Sequence, residues 1–135
     1  MTPTPPQYPL MHSSAGTLRA ASGRPLAEIT AEAVRDHALS MADLQISADT
    51  LRAQAAVARA AGYAPLADNL TRAAELTAVP NAEVLRMYGL LRPGRATHAE
   101  LLALAVTLEE KYAAVECARL VRAAAEVYRT RDLTK

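Results

Sequence analysis

The segment Thr97-His98-Ala99-Glu100-Leu101-Leu102-Ala103-Leu104-Ala105-Val106-Thr107-Leu108 signals a helix in two independent ways. Thr97 and Glu100 have the spacing of a capping box, in which each side chain satisfies an orphan backbone N–H of the other residue. Beyond them Leu101, Leu104, Ala105 and Leu108 recur at three- and four-residue steps and so share one helical face. Working backwards, Pro80 is placed to open a helix to about Leu91, which Pro93-Gly94 closes. Pro65 opens another, with Leu66, Leu70, Ala73, Ala74 and Thr77 on one stripe. Ser47 is a suitable cap for Ala48–Ala61, with Gly62 at the left-handed position past its end. Thr30 predicts a short helix over 31–39, and Ser40 a further turn at Met41–Leu44. Forwards, a last helix over about Ala113–Arg131 presents Val115, Leu120, Val121, Ala124 and Tyr128. No stretch alternates at period two, so the expected fold is all-α: a compact helical domain of about five helices, residues 30–135, as a single structural unit.

Residues 1–29 read differently. Five of the eight prolines (Pro3, Pro5, Pro6, Pro9 and Pro25) fall there, and the missing N–H donors argue against regular helix or central strand. The segment is expected to be an extended docking arm, with Tyr8-Pro9-Leu10-Met11 as its hydrophobic anchor.

Half the chain, 51%, is hydrophobic, yet it holds no Phe or Trp and only five Tyr. Large aromatics supply much of a free-standing core's buried area. An Ala- and Leu-rich chain makes helices readily but buries less when they pack, so completion by a partner is one reading and a compact Ala-rich bundle the other. Net charge is +1 with acids and bases interspersed, which argues against nucleic-acid and membrane-surface binding. No apolar run approaches the roughly 20 residues needed to span a bilayer. The first residues lack the pattern of a signal peptide. The single Cys117 can form no intrachain disulfide, which fits a reducing cytoplasm.

Groups that could act together chemically are hard to find. His12, His37 and His98 are far apart, and none has ligand-spaced partners beyond its neighbour Asp36 at His37, which points another way on a helix. Cys117 in its Ala-rich helix reads as a small buried hydrophobe. Glycines are scattered singly, so no phosphate loop is present. Arg92-Pro93-Gly94-Arg95 places two guanidiniums around a tight turn, suited either to gripping an anion or to holding a subunit interface. Leu51–Leu76 resembles a helix-turn-helix, but Asp68 and Glu75 beside a lone Arg72 make a poor recognition helix.

Longer strings carry more information. Ile46-Ser47, Thr50-Leu51-Arg52, Gln54-Ala55, Leu66-Ala67, Asn69 and above all Arg72-Ala73-Ala74-Glu75-Leu76-Thr77-Ala78-Val79-Pro80 lead to Tyr88, Leu91-Arg92-Pro93 and Arg95. Upstream stand Tyr8-Pro9-Leu10 and Gly23-Arg24-Pro25-Leu26; downstream stand Glu100-Leu101-Leu102-Ala103, Tyr112, Cys117-Ala118, Val121-Arg122 and Tyr128. On these residues the chain resembles the small (gamma) subunit of the adenosylcobalamin-dependent diol and glycerol dehydratases. It departs at Leu70 and Leu120, where the family has Phe, and at Asn81, Gly89 and Ala123.

The resemblance implies a non-catalytic small subunit packed against a large (alpha) barrel subunit that holds the substrate. A medium (beta) subunit helps bind the adenosylcobalamin, and two such heterotrimers pair. The implied reaction dehydrates 1,2-propanediol, glycerol or 1,2-ethanediol to an aldehyde, with the cofactor supplying the radical chemistry. No catalytic, cofactor-binding or metal residue is expected here. Tyr8, Leu10, Arg52, Arg72, Tyr88, Arg92 and Arg95 are the expected interface residues, since Tyr and Arg combine contact area with well-placed donors. Arg72 could equally form an intrahelical pair with Asp68 or Glu75. With only about seven residues before Tyr8, the longer extension associated with microcompartment packaging is not expected. The contrasting reading is an independent helical interaction module, stable without partners.

Overall fold

Small residues decide where the helices of this chain meet. The computed structural model describes residues 6–14 and 16–135; Pro3 and Pro5 of the expected arm lie outside them. Among the described residues the regular structure is helical, save for one isolated antiparallel bridge between Arg19 and Pro25. The chain divides into two compact units, the first ending at Ala74 and the second running Glu75–Lys135, where the sequence suggested a division after residue 29.

The N-terminal unit begins with a single helical turn, α1 (Leu10–Ser13), that follows Pro9 directly. The expected arm is therefore not extended throughout, because past Pro9 every amide up to Pro25 can again donate. Residues 18–26 form a tight loop, with Ala20 N–H donating to Arg24 O (2.9 Å) and Gly23 in the left-handed region at φ +89°. A 3-10 turn (Leu26–Glu28) leads to α2 (Ala31–Arg35), capped by the Thr30 hydroxyl. This helix stops short of the expected residue 39. His37 turns left-handed (φ 54°), and Ala38 N–H bonds back to Ala33 O (2.9 Å). α3 (Met41–Leu44) carries a Ser40/Asp43 capping box. α4 (Ala48–Ala60) is capped by Ser47, and Gly62 (φ +85°) turns the chain into α5 (Ala64–Leu76), whose last two residues are counted with the second unit. Ala55, Ala58 and Ala67 form a small buried cluster with Leu70 against it, since methyl side chains let the α4 and α5 backbones come close. The Arg59–Asp68 ion pair (2.6 Å) ties the same two helices.

The second unit holds α6 (Asn81–Leu90), α7 (His98–Tyr112) and α8 (Val115–Thr130). Pro80 starts α6 as expected, and the Thr97/Glu100 capping box starts α7. The expected stripe Leu101, Leu104, Ala105 and Leu108 is buried and packs on α8. Val79, Met87, Ala96, Ala114, Cys117, Ala118, Val121 and Ala125 complete this core. Tyr128 on α8 donates its hydroxyl to Leu91 O (2.6 Å), satisfying a carbonyl at the end of α6. The final residues pair with the turn after α6: Gly94 N–H donates to Leu133 O (2.7 Å) and Lys135 N–H to Ala96 O (2.9 Å).

The faces of two helices differ from the expected ones. On α8 the buried set is Cys117, Ala118, Val121 and Ala125, while Val115 and Leu120 are exposed and Ala124 and Tyr128 half-buried. On α5 it is Ala67 and Ala74, with Leu66 exposed. On α8 the buried face is made mainly of small residues, opposite the buried leucines of α7, and the larger Val115 and Leu120 lie outside.

α7 and α8 are joined by Ala113 in the left-handed conformation (φ 52°), and Ala114 N–H returns to Leu108 O (2.9 Å). A Cβ in that region costs roughly 1–2 kcal/mol, which glycine avoids while losing more chain entropy on folding. Ala113→Gly is therefore expected to stabilise the chain by about 0.5 kcal/mol, seen as a small rise in the thermal midpoint; a fall would contradict it.

Candidate subunit interface

Two polar constructions hold the chain together, one within each unit. In the N-terminal unit the Asp43 carboxylate, its residue only 6% exposed, collects four donors. They are the Ser22 hydroxyl (2.5 Å), Arg24 Nε (3.0 Å), and the Ser40 amide (2.7 Å) and hydroxyl (2.9 Å). Arg24 also reaches Ala38 O (3.1 Å). The 18–26 loop is thereby stitched to α3 and to the segment before it. The Ser22 hydroxyl, then the Ser40 amide and hydroxyl and the Arg24 guanidinium, hold the Asp43 carboxyl far below the usual carboxylate range against the opposing effect of burial.

In the second unit Ala114 offers α8 no side-chain cap. The cap comes instead from Glu75, whose carboxylate accepts from the amides of Glu116 (2.9 Å) and Cys117 (2.8 Å). Charge-assisted bonds to orphan N–H groups at the positive end of a helix are among the stronger ones. Glu75→Ala is expected to destabilise this unit by about 1–2 kcal/mol, with Glu75→Gln recovering part of the loss in a urea titration. Equal stability of all three proteins would remove Glu75 from this role.

Around these constructions the expected interface residues are distributed between the units. Tyr8 is 83% exposed, whereas Leu10 is buried at 9% and turns inward. Arg52 is exposed and pairs with Asp49 (3.2 Å). Arg72 is half-buried and donates to Asn69; Asp68 is taken by Arg59 and Glu75 by α8. In the second unit Tyr88 is 63% exposed on α6, with Leu85 one turn before it at 72%, and Arg92 and Arg95 are exposed on the following turn.

Sequence reasoning passed over the exposed Met41, Leu44 and Ile46. Of these, Ile46 lines a groove of about 450 Å³ together with Leu18, Leu26, Ile29 and Leu51. Exposed apolar groups in such a group mark contact surfaces more often than scattered ones do. The missed signal was Ser40-x-x-Asp43, a capping-box spacing that points Asp43 inward and its apolar neighbours out.

His12 and His37 are exposed, and His98 bonds Glu126 (2.8 Å) between α7 and α8. Among the described residues no three His, Cys, Asp or Glu side chains are placed to hold a metal ion, and no helix is long and apolar enough to cross a membrane. Cys117 is buried in the core.

The family model for dehydratase small subunits matches residues 4–135. This chain belongs to the dehydratase small-subunit family. Its relatives include the propanediol dehydratase small subunit of Salmonella typhimurium (strain LT2), 43% identical over 128 residues that make up 95% of this chain and 74% of that protein. The subunit of the same description from Citrobacter freundii is 42% identical over the same shares. In this dehydratase small subunit the string Arg72–Pro80 contains the α8 cap and the buried Val79, and Gly23-Arg24-Pro25-Leu26 contains Arg24, one of the donors to Asp43. The strings that carried the resemblance thus include residues that hold each unit together.

Proposed function

We propose that this chain is the non-catalytic small subunit of an adenosylcobalamin-dependent dehydratase that converts 1,2-propanediol, or glycerol, to an aldehyde and water in the cytoplasm. The observation that carries the reading is the 43% identity to a propanediol dehydratase small subunit across 95% of the chain. Its partners are a large (alpha) and a medium (beta) subunit, paired as a dimer of heterotrimers. Tyr8, Arg52, Arg72, Tyr88, Arg92 and Arg95 are the contact residues, joined by the apolar group Met41, Leu44 and Ile46. Leu10, the remaining member of the expected set, is largely enclosed within the chain itself. Residues 1–29 serve as the docking segment.

Adenosylcobalamin belongs to the other subunits. A corrin with its nucleotide loop and adenosyl group far exceeds the 450 Å³ groove of this chain, and the exposed His12 and His37 have no built site around them. The residues here do not fit that group.

A tagged copy isolated from its host should bring down two larger chains in stoichiometric amount. The isolated complex should turn 1,2-propanediol or glycerol into aldehyde only when adenosylcobalamin is supplied. Recovery of the chain alone, folded and without partners, would overturn the reading.

A further inference from the structure

The charges of this chain are largely settled within each unit, with one local exception. Of its fifteen basic side chains, Arg24, Arg35, Arg52, Arg59, Arg86, Arg119, Arg122 and Arg129 sit in ion pairs with carboxylates. Arg92, Arg95, Arg131 and Lys135 do not: among the described residues their side chains make no hydrogen bond or ion pair, and all four residues are exposed. They are split between two stretches of sequence, but the fold joins these. The bonds from Gly94 N–H to Leu133 O and from Lys135 N–H to Ala96 O lay the C-terminal residues along the 92–96 turn. Four cations thereby share one edge of the second unit. The acidic side chains beside them are Asp132 and Glu100; Glu100 accepts from the Thr97 amide and hydroxyl and also feels the Lys135 charge. In a chain of net charge +1, this gathers four basic groups outside the ion pairs onto one edge.

We infer that this edge is an electrostatic docking surface for an acidic patch on a partner subunit of the dehydratase, an inference that rests on the proposed function. Unpaired guanidiniums are suited to this because they lose little hydration and present several donors to a carboxylate. Backbone pairing fixes the edge before the partner arrives, so less ordering is needed on contact. Arg131 and Lys135 thereby join Arg92 and Arg95 as contact residues, although they lie some forty positions further along the sequence.

The test uses the complete complex, with the chain co-expressed beside its large and medium subunits. Reversing all four charges (R92E, R95E, R131E and K135E together) should weaken association on the order of 100-fold, while Arg35→Glu on the N-terminal unit should leave it unchanged. Because the four side chains make no hydrogen bond or ion pair within the chain, and only Lys135 has a weaker electrostatic contact, with Glu100, the thermal midpoint of the isolated variant should change little. A second measurement needs no variant: carbodiimide treatment of the unmodified complex should join the Lys135 amine to an Asp or Glu of a partner, identified by mass spectrometry. If the unmodified chain captures no larger subunits, the proposed function falls and the inference with it. If it captures them and the reversed chain does so equally well, the electrostatic edge alone is overturned. Cross-links confined to the chain itself, or retention on heparin that the reversal abolishes while assembly persists, would also overturn it.

Discussion

Leu101→Ala is expected to cost the second unit about 3–5 kcal/mol, close to the top of the range for core leucines. Leu101 is fully buried, and together with Leu108 it is the largest side chain so enclosed. Around it the core is lined by Ala105, Ala114, Ala118 and Ala125, each 0% exposed. Alanine has no rotamers with which to fill a hole, so the cavity would persist instead of collapsing. A unit of 61 residues (75–135) has a total stability of roughly 3–9 kcal/mol at ordinary values per residue, so this one change removes a large share of it. Leu102→Ala provides the contrast: the neighbouring side chain is 36% exposed, and its loss should cost under about 1 kcal/mol. Urea unfolding of the two variants measures the difference directly. Similar midpoints would mean that the α7 stripe does not carry the core.

Asp43→Ala is expected to open the N-terminal unit. The substitution leaves the Arg24 guanidinium and the Ser40 amide, both bonded to the carboxylate in the native structure, without their acceptor. Removing one member of an enclosed charged network costs more than the network contributes, because the remaining groups lose their partners. A fall in the thermal midpoint on the order of 10 °C follows. Trypsin should cut after Arg19 at least about tenfold faster as local opening becomes common; Arg24 is protected by the Pro25 that follows it. The same carboxyl sets an acid dependence. Its pKa lies below the unfolded value, so its contribution is fully present above about pH 4 and is lost as the pH falls further. Glu83, Glu100 and Glu126 are shifted in the same direction by Arg86, by Thr97, and by Arg129 with His98, and reinforce the trend. Asp43→Asn should therefore flatten the acid limb of the stability curve, and an unchanged limb would argue against the network.

Helix positions were legible in the sequence because their signals are local. Thr30, Ser40, Ser47 and Thr97 each reach a backbone amide three residues on, and such spacings can be read without knowing what packs where. The stripe on α7 was legible for the same reason. The buried faces of α5 and α8 were not, since hydrophobic size pointed to Leu66, Val115 and Leu120 while the buried positions are mostly alanines. Long-range polar contacts were equally hidden: nothing near Glu75 announces that it serves residues 116 and 117, and nothing near Ser22 points to Asp43. Of the residues expected at an interface, Tyr8 and Tyr88 are exposed and Leu10 is buried. The basic edge could not be seen in the sequence because backbone pairing at the chain's end is what assembles it.

The cap on α8 has a consequence for the order in which this chain acquires its structure. Glu75 precedes its two amides by 41 and 42 residues, and Ala114 supplies no local start signal. During synthesis Glu75 therefore emerges well before the helix it will cap, and waits while α6 and α7 form. Loop closure over that distance has to precede the reward of the contact, so the first turn of α8 becomes fixed only when the rest of the unit is already in place. The apolar stripe of α7 is covered by α8, so a ribosome paused before residue 115 would hold a chain with that stripe bare and a strong incentive to associate with the wrong neighbour.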